Sequence, residues 1–513
     1  MAWQDFKILG FAPDLPNTTP GALVQMVYVM PTDRGLGPAP VFNEQGSGSI
    51  NSASMGGALV SKTDGTQRVF VGIADKLYET TNPPSGSPTD RSGGTYAATT
   101  SATWSFCQFG DVTLAVNKND YLQYITGSST AFAPVGTAPV PKASIIATGG
   151  PTSAPVVMAF DYNDGTDNFR DGWFASGLGD AITTTGWTTG TNSCANGRLL
   201  DDVPGPITAG IGFRDDFVAF KATGMYIGTY TGDATNPWSW RRISSDIGCI
   251  GKNALVRAND ILYWADTAGI WMFDGSYPRL VPGNVHNYWA SICVSDKLAT
   301  AANRNYFRVV WDKAKHWLHV FSGTASGPTI REGMTWNSIS ELWTQHGGSA
   351  IGSQPFINAG GTAFARELIG PRLYVTNSLK LGAYTLVCTG TEPAAAIIDG
   401  WLITDFVRTP VLKGLRPHWR VYSGTTLAFG GSGYTDISST FPPSGGFRRF
   451  RAPYEYTEIV NQAAELLVLS QRDFGKLDGQ VGGGMVSWRL LPPAGIEWEI
   501  DGLTLDVEPH GKS

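Results

Sequence analysis

A chain of 513 residues, 42% of them hydrophobic, can bury a large core, and its length alone allows roughly two to four domains. Charged residues make up 16%, against roughly 25% in an average soluble protein. With a formal net charge of −6, the composition disfavours a free, highly soluble monomer and a surface built to grip phosphates with dense Lys and Arg.

The first 61 residues carry few strand signals. PDLPNTTPGA and MPTDRGLGPAP are punctuated by Pro and Gly, which favours extended backbone lying across another surface. Residues 1–61 are therefore expected to form an arm. Pro13, Pro16, Pro20, Pro31, Pro38 and Pro40 leave few amide donors for a sheet of its own, and Phe6, Ile8, Phe11 and Leu15 are the candidate anchors for docking. The N-terminus has neither the basic leader nor the uninterrupted apolar core of a signal peptide, so synthesis and folding in a cytoplasm are expected. No stretch approaches the roughly 20 apolar residues of a membrane span.

From residue 62 to 395 a strand-turn-strand phrase returns. Its clearest copy is DILYWADTAGIWMFDG, Asp260 to Gly275, where Ile261 and Tyr263, then Ile270 and Met272, fall two apart on either side of a small-residue turn. Related phrases are RVFVGIADKLYET from Arg68, DVTLAVNKNDYLQYI from Asp111, DDFVAFKATGMYIGTY from Asp215, NYFRVVWDKAKHWLHVF from Asn305 and PRLYVTNSLKLGAYTL from Pro371. A weaker seventh is PVVMAFDYNDGTDNF from Pro155. Starts mostly about 40 to 65 residues apart describe the blades of a β-propeller with insertions in its loops. The fold class expected is all-β: a propeller of six blades, with the weaker phrase as a seventh. Tyr263 and Trp271 are expected to be buried strand residues.

Residues 396–513 change texture, alternating strand-like runs such as GWLITDFV, MVSWRLL and WEIDGLTLDVE. They read as a C-terminal β-domain or as strands that close the ring. The most helix-like stretch, EIVNQAAELLVLSQ (458–471), could equally be a strand, and the one dense basic cluster, FRRFRAPY (447–454), reads as a solvated loop or a subunit contact.

The residue types that carry chemistry are thinly spread. Cys107, Cys194, Cys249, Cys293 and Cys388 have no C-x-x-C spacing, so free buried thiols are expected. Asp201 with Asp202 and Asp215 with Asp216 are neighbours in sequence, which on a strand point to opposite faces; they read as turn acids. His316 and His319 would also face apart on a strand. SKTDGTQRVF, from Ser61, faintly resembles the Asp-box turn of sialidase-type propellers, but its aromatic residue, Phe70, comes late. No Walker A, G-x-S-x-G, H-E-x-x-H or dinucleotide fingerprint occurs. No catalytic, metal or cofactor residue is assigned.

The order of phrases along the chain carries a further signal. PDLPNTTPGAL and MPTDRG (13–35) are followed by DGWFASGLGDAITTTGW (171–187) and DDVPGPITAGIGFRDDFVAFKATGMYIGTYTG (201–232). Then come IGCIGKNALVRANDILYWADTAGIWMFDG (247–275) and a tail ending WEIDGLTLDVEPHGKS. This series resembles the nozzle or hub proteins of short-tailed bacteriophages, also known as packaged-DNA stabilisation proteins. The resemblance spans most of the chain through loose strand patterns, none of them catalytic. It implies a structural virion protein of the tail, assembled in the host cytoplasm, without turnover. Such a protein is a propeller-based subunit of a homo-oligomeric ring, a hexamer, below a tail adaptor. The ring retains packaged DNA, touches it transiently and non-specifically as it passes, and carries tail fibres, spikes or a needle. The first alternative from another class is a carbohydrate-active or carbohydrate-binding propeller, with Trp residues stacking sugars. A regular interaction scaffold would need Trp-Asp blade endings and a more even period.

Overall fold

The computed structural model describes residues 2–346 with short breaks and, beyond them, the backbone of separate strands between 367 and 510. Side-chain surroundings are described for most of the first span and for 499–502.

The recurring phrases are the middles of blades. Four-stranded antiparallel sheets follow one another at 57–90, 105–134, 142–198, 209–244, 255–280 and 308–346, and a three-stranded one occupies 367–382. The first strand of each sheet lies beside the first strand of the next. Glu367–Ile369 lies beside both Arg308–Asp312 and Gly57–Ser61, which closes the ring. The protein is thus all-β, with the architecture of a seven-bladed propeller, blades 1 to 7 in chain order. The weak phrase from Pro155 supplies the two middle strands of blade 3, Val156–Asn163 and Asn168–Ala175. In blade 6 the phrase falls one strand early, on Arg308–Asp312 and Trp317–Thr324.

Blade interiors are wetted on neither face. In Ile261–Ala265, Leu262, Tyr263, Trp264 and Ala265 are all buried, so the alternation in the sequence marks two different apolar neighbours rather than core and solvent. Tyr263 stacks on Trp311 of blade 6 at 5.8 Å, while Trp264 tilts against Phe220 of blade 4 at 5.1 Å. Each middle strand is therefore sandwiched between adjacent blades. Trp271, expected to be buried, is only half-buried and packs at the edge of the same cluster. It lies on the third strand, farther from the axis, where the blades splay.

Four of the buried tryptophans use their indole N–H to fix a loop. Trp104 donates to the Ile73 carbonyl (2.8 Å), Trp187 to Ala181 (3.0 Å), Trp264 to Gly248 (2.9 Å) and Trp289 to Asp266 (2.7 Å). Blades 1 and 2 are further clasped by an ionic knot. Glu79 receives Arg68 at 2.5 and 2.7 Å and Arg91 at 2.7 Å, while the two guanidinium groups also donate to the Thr126 and Thr130 carbonyls of blade 2.

Strands of the N-terminal segment pair with strands near the C-terminal end of the same chain. Ala2–Lys7 pairs antiparallel with the C-terminal strand Trp498–His510. Ala22–Val27 pairs with Ile397–Ile403, and Ile500 faces Leu36. Two six-stranded sheets thus mix N-terminal strands with strands from 397–510, so the C-terminal region joins the arm rather than adding a blade. Val41–Asn43 pairs with Thr385–Val387, just after the last strand of blade 7, and ties the start of the chain to the end of the ring. Gly57–Ser61, inside the span read as arm, is already the first strand of blade 1.

The arm also seats on the fifth and sixth blades. Helix α1 (His286–Ile292) has its first turn held by Asp14, whose carboxylate accepts from the Asn287 and Tyr288 amides, both at 2.9 Å. Trp317 donates to the Pro31 carbonyl (2.5 Å), Ser340 to that of Thr32 (2.6 Å), and Asn337 to the Asp33 carboxylate (2.9 Å). Gly10, at φ +73°, passes so close to Trp343 that a Cβ there would stand 2.8 Å from its carbonyl oxygen.

Candidate functional site: the axial pocket

At one end of the propeller axis the residues leading into the first strands of blades 2, 4, 5 and 6 converge with the central turns of blades 2 and 3 around a pocket of about 410 Å³. In a propeller the entry loops and the second-to-third-strand turns share a face, so this is the same end of every blade.

Two side chains span the axis beneath it. Lys252, between blades 4 and 5, donates to the carbonyls of Thr103 (2.7 Å) and Ser144 (2.8 Å), at blades 2 and 3. Asn305, at the entry to blade 6, donates to the Thr100 carbonyl at 3.1 Å. Both residues line the pocket, and their bonds tie the entries of blades 5 and 6 to those of blades 2 and 3 across the ring.

The lining carries four cations, Lys118, Arg170, Lys252 and Arg304, and one acid, Asp161. In the central turn of blade 2, fully buried Asn117 accepts from the amides of Asn119 (2.9 Å) and Asp120 (3.0 Å), fixing the loop that presents Lys118. Lys118 forms a short ion pair with Asp161 of blade 3. Asp161 sits where the pairing of Val156–Asn163 with Asn168–Ala175 shifts register, at φ +49°, an uncommon conformation for a residue other than glycine. That bulge turns its side chain to Lys118. Burial pushes the Asp161 carboxyl above its ordinary value, against the opposing pull of Lys118, Lys252 and Arg170. Arg170 is exposed on the strand Asn168–Ala175, and Arg304 ends helix α2 (Ala301–Arg304), donating to the Leu298 carbonyl at 3.3 Å.

None of these five residues was assigned a role from sequence. They are spread from 118 to 304, and the bulge that aims Asp161 leaves no local signature.

The residues singled out from sequence fall elsewhere. Ile8 and Phe11 are buried in the chain's own core, Phe11 edge-on to Tyr288 at 5.0 Å; Phe6 is partly buried against that core and Leu15 is half-buried. Asp215 and Asp216 stand at the tight turn between Ala209–Phe213 and Asp216–Phe220, where Asp215 accepts from Thr152 at 3.1 Å. Asp201 and Asp202 lie outside the described residues. His316 occupies the turn before its strand at φ +57°, 3.4 Å from Asp33, whereas His319 is fully buried with Nδ1 2.7 Å from the Thr335 hydroxyl. Asp64 of the SKTDGT turn accepts from the Thr66 amide (2.8 Å) and hydroxyl (2.6 Å), which hold its carboxyl down to about 2. Cys194, Cys249 and Cys293 are buried cysteines outside any disulfide, and Cys107 is partly buried; Cys388 lies outside the described residues. Among the described residues no three His, Cys, Asp or Glu side chains gather as a metal site would require. The strand Phe447–Arg451 of the basic cluster pairs with Glu455–Val460 and Met485–Leu490.

No family model and no curated protein matches the chain. Among solved structures it is similar to the computationally designed Ika8 protein, at 12% identity and a TM-score of 0.35, over 67% of this chain and 98% of that one.

Proposed function

We propose that the chain is a structural virion protein, a subunit of a homo-oligomeric tail nozzle or hub ring that closes the tail channel of a short-tailed phage. The ring is a hexamer, retains packaged DNA and passes it at ejection without chemical turnover.

The observation that supports this reading is where the phrases resembling that family fall. PDLPNTTPGAL contains Asp14, which seats the arm on helix α1. DGWFASGLGDAITTTGW ends in fully buried Trp187, which pins the long insertion of blade 3. IGCIGKNALVRAND holds Gly248, whose carbonyl anchors Trp264, and Lys252, which braces the axis. WEIDGLTLDVEPH forms the strand that pairs with the N-terminus. Each of these four phrases is a joint of the architecture, as expected of a family defined by assembly rather than by a reaction. The weakly charged, mildly acidic composition fits a channel wall that lets DNA slide, since a basic wall would hold phosphates through counterion release. It also suits subunits whose flanks are covered in a ring.

The test is co-sedimentation with tail particles. The chain should travel with assembled tails, and particles lacking it should lose packaged DNA. A chain that stays in the soluble fraction and hydrolyses a glycan would replace this reading with the carbohydrate-active one.

A further inference from the structure

The ring reading gives the axial pocket no task, yet its construction points to a ligand. Four cationic side chains, Lys118, Arg170, Lys252 and Arg304, face one carboxylate, Asp161, which leaves a formal excess of three positive charges in a chain whose overall charge is −6. Two of the cations are accounted for: Lys252 by the carbonyls it bridges, Lys118 by Asp161. Arg170 has no hydrogen bond or ion pair from its guanidinium among the described residues, and Arg304 spends one donor on the Leu298 carbonyl. A guanidinium offers five donors in a planar fork suited to carboxylate or phosphate.

We propose that the axial pocket binds a small anion bearing two or more carboxylate or phosphate groups, with Arg170 and Arg304 as its direct donors and Lys118 and Lys252 supplying the field below. The size argues for a small molecule, because about 410 Å³ lies within the range of small-ligand pockets. The strained backbone at Asp161 agrees, since a non-glycine residue in the left-handed region at a bulge re-aims a side chain at a cost the rest of the blade must carry. Asp161 places its single negative charge on Lys118, leaving the arginine side open to an incoming anion.

This inference does not rest on the ring assignment, and its test separates the two. Calorimetric titration of the full chain at low ionic strength, with citrate and with inorganic phosphate as probes, should show saturable binding, citrate tighter. Arg170→Ala should weaken it by about tenfold or more, the loss of a charge-assisted hydrogen bond, with the melting temperature of the unliganded protein unchanged. Asp161→Asn should tighten binding, because it removes the opposing charge. Absence of saturable binding, or binding indifferent to Arg170→Ala and weakened by Asp161→Asn, would overturn the proposal. So would binding of a DNA oligonucleotide through Arg170 with none of citrate.

Discussion

Single side chains decide how tightly neighbouring blades are held. Glu79 stands between Arg68 and Arg91; burial pushes its carboxyl up, but hydrogen bonds and charge from the two arginines outweigh this and hold it below the ordinary 4.5. A carboxyl depressed on folding contributes stability that is complete above its unfolded value and lost as pH falls through the lower folded one. Acid melting curves should therefore show part of the loss below pH 4.5, and Glu79→Gln should remove that part. At neutral pH the same change should cost about 2–3 kcal/mol, less than a fully buried pair because Arg91 retains solvent contact. If Glu79→Gln left both the midpoint and its acid dependence unaltered, the ionic knot would be ornamental. The tryptophans offer a second contrast. Trp264→Ala removes a fully buried ring and orphans the Gly248 carbonyl, at a cost of about 3–5 kcal/mol, whereas half-buried Trp271→Ala should cost roughly half as much. Denaturant midpoints for the two variants check the order.

At the scale of elements, the blades were legible and the arm only half so. Period-2 apolar runs bounded by small-residue turns mark the middle strands of six blades and the first two strands of blade 6, because hairpins are local and their turn chemistry is written in adjacent residues. The outer strands Thr89–Asp90, Ala133–Pro134 and Arg279–Leu280 are not legible, because two residues are too short to show a period. The unbroken apolar run Ile261–Ala265 is consistent with burial of both faces, but the partners on those faces are other blades tens of residues away and carry no local mark. The arm's prolines announced extended backbone but not its berth. Pairing of Ala2–Lys7 with Trp498–His510, or of Val41–Asn43 with Thr385–Val387, joins chain ends hundreds of residues apart, which no local pattern specifies. The docking makes a definite prediction. Asp14→Ala removes the cap of helix α1 and one clamp of the arm, and should cost about 1–2 kcal/mol. Deletion of residues 1–43 would uncover Trp343 and the edges of two sheets and remove the partner of Thr385–Val387, so the shortened chain should aggregate rather than remain a folded propeller. A monomeric, cooperatively melting product would show that the propeller closes without the arm.

For the whole molecule, the fold and the proposed role agree in one respect: this chain is built to be stiff. Blades share both faces with neighbours, two side chains brace the axis, and the chain's beginning and end are paired in the same sheet. A ring subunit of the kind proposed would draw on such rigidity, and a chain with only 16% charged residues would leave its flanks available for subunit contacts. The central claim is that this surface assembles a closed ring. Image averages of the purified full-length chain, taken over a series of concentrations, test it most directly. The account predicts rings of six-fold symmetry whose fraction rises with concentration. Isolated propellers at every concentration, with no closed rings, would contradict it.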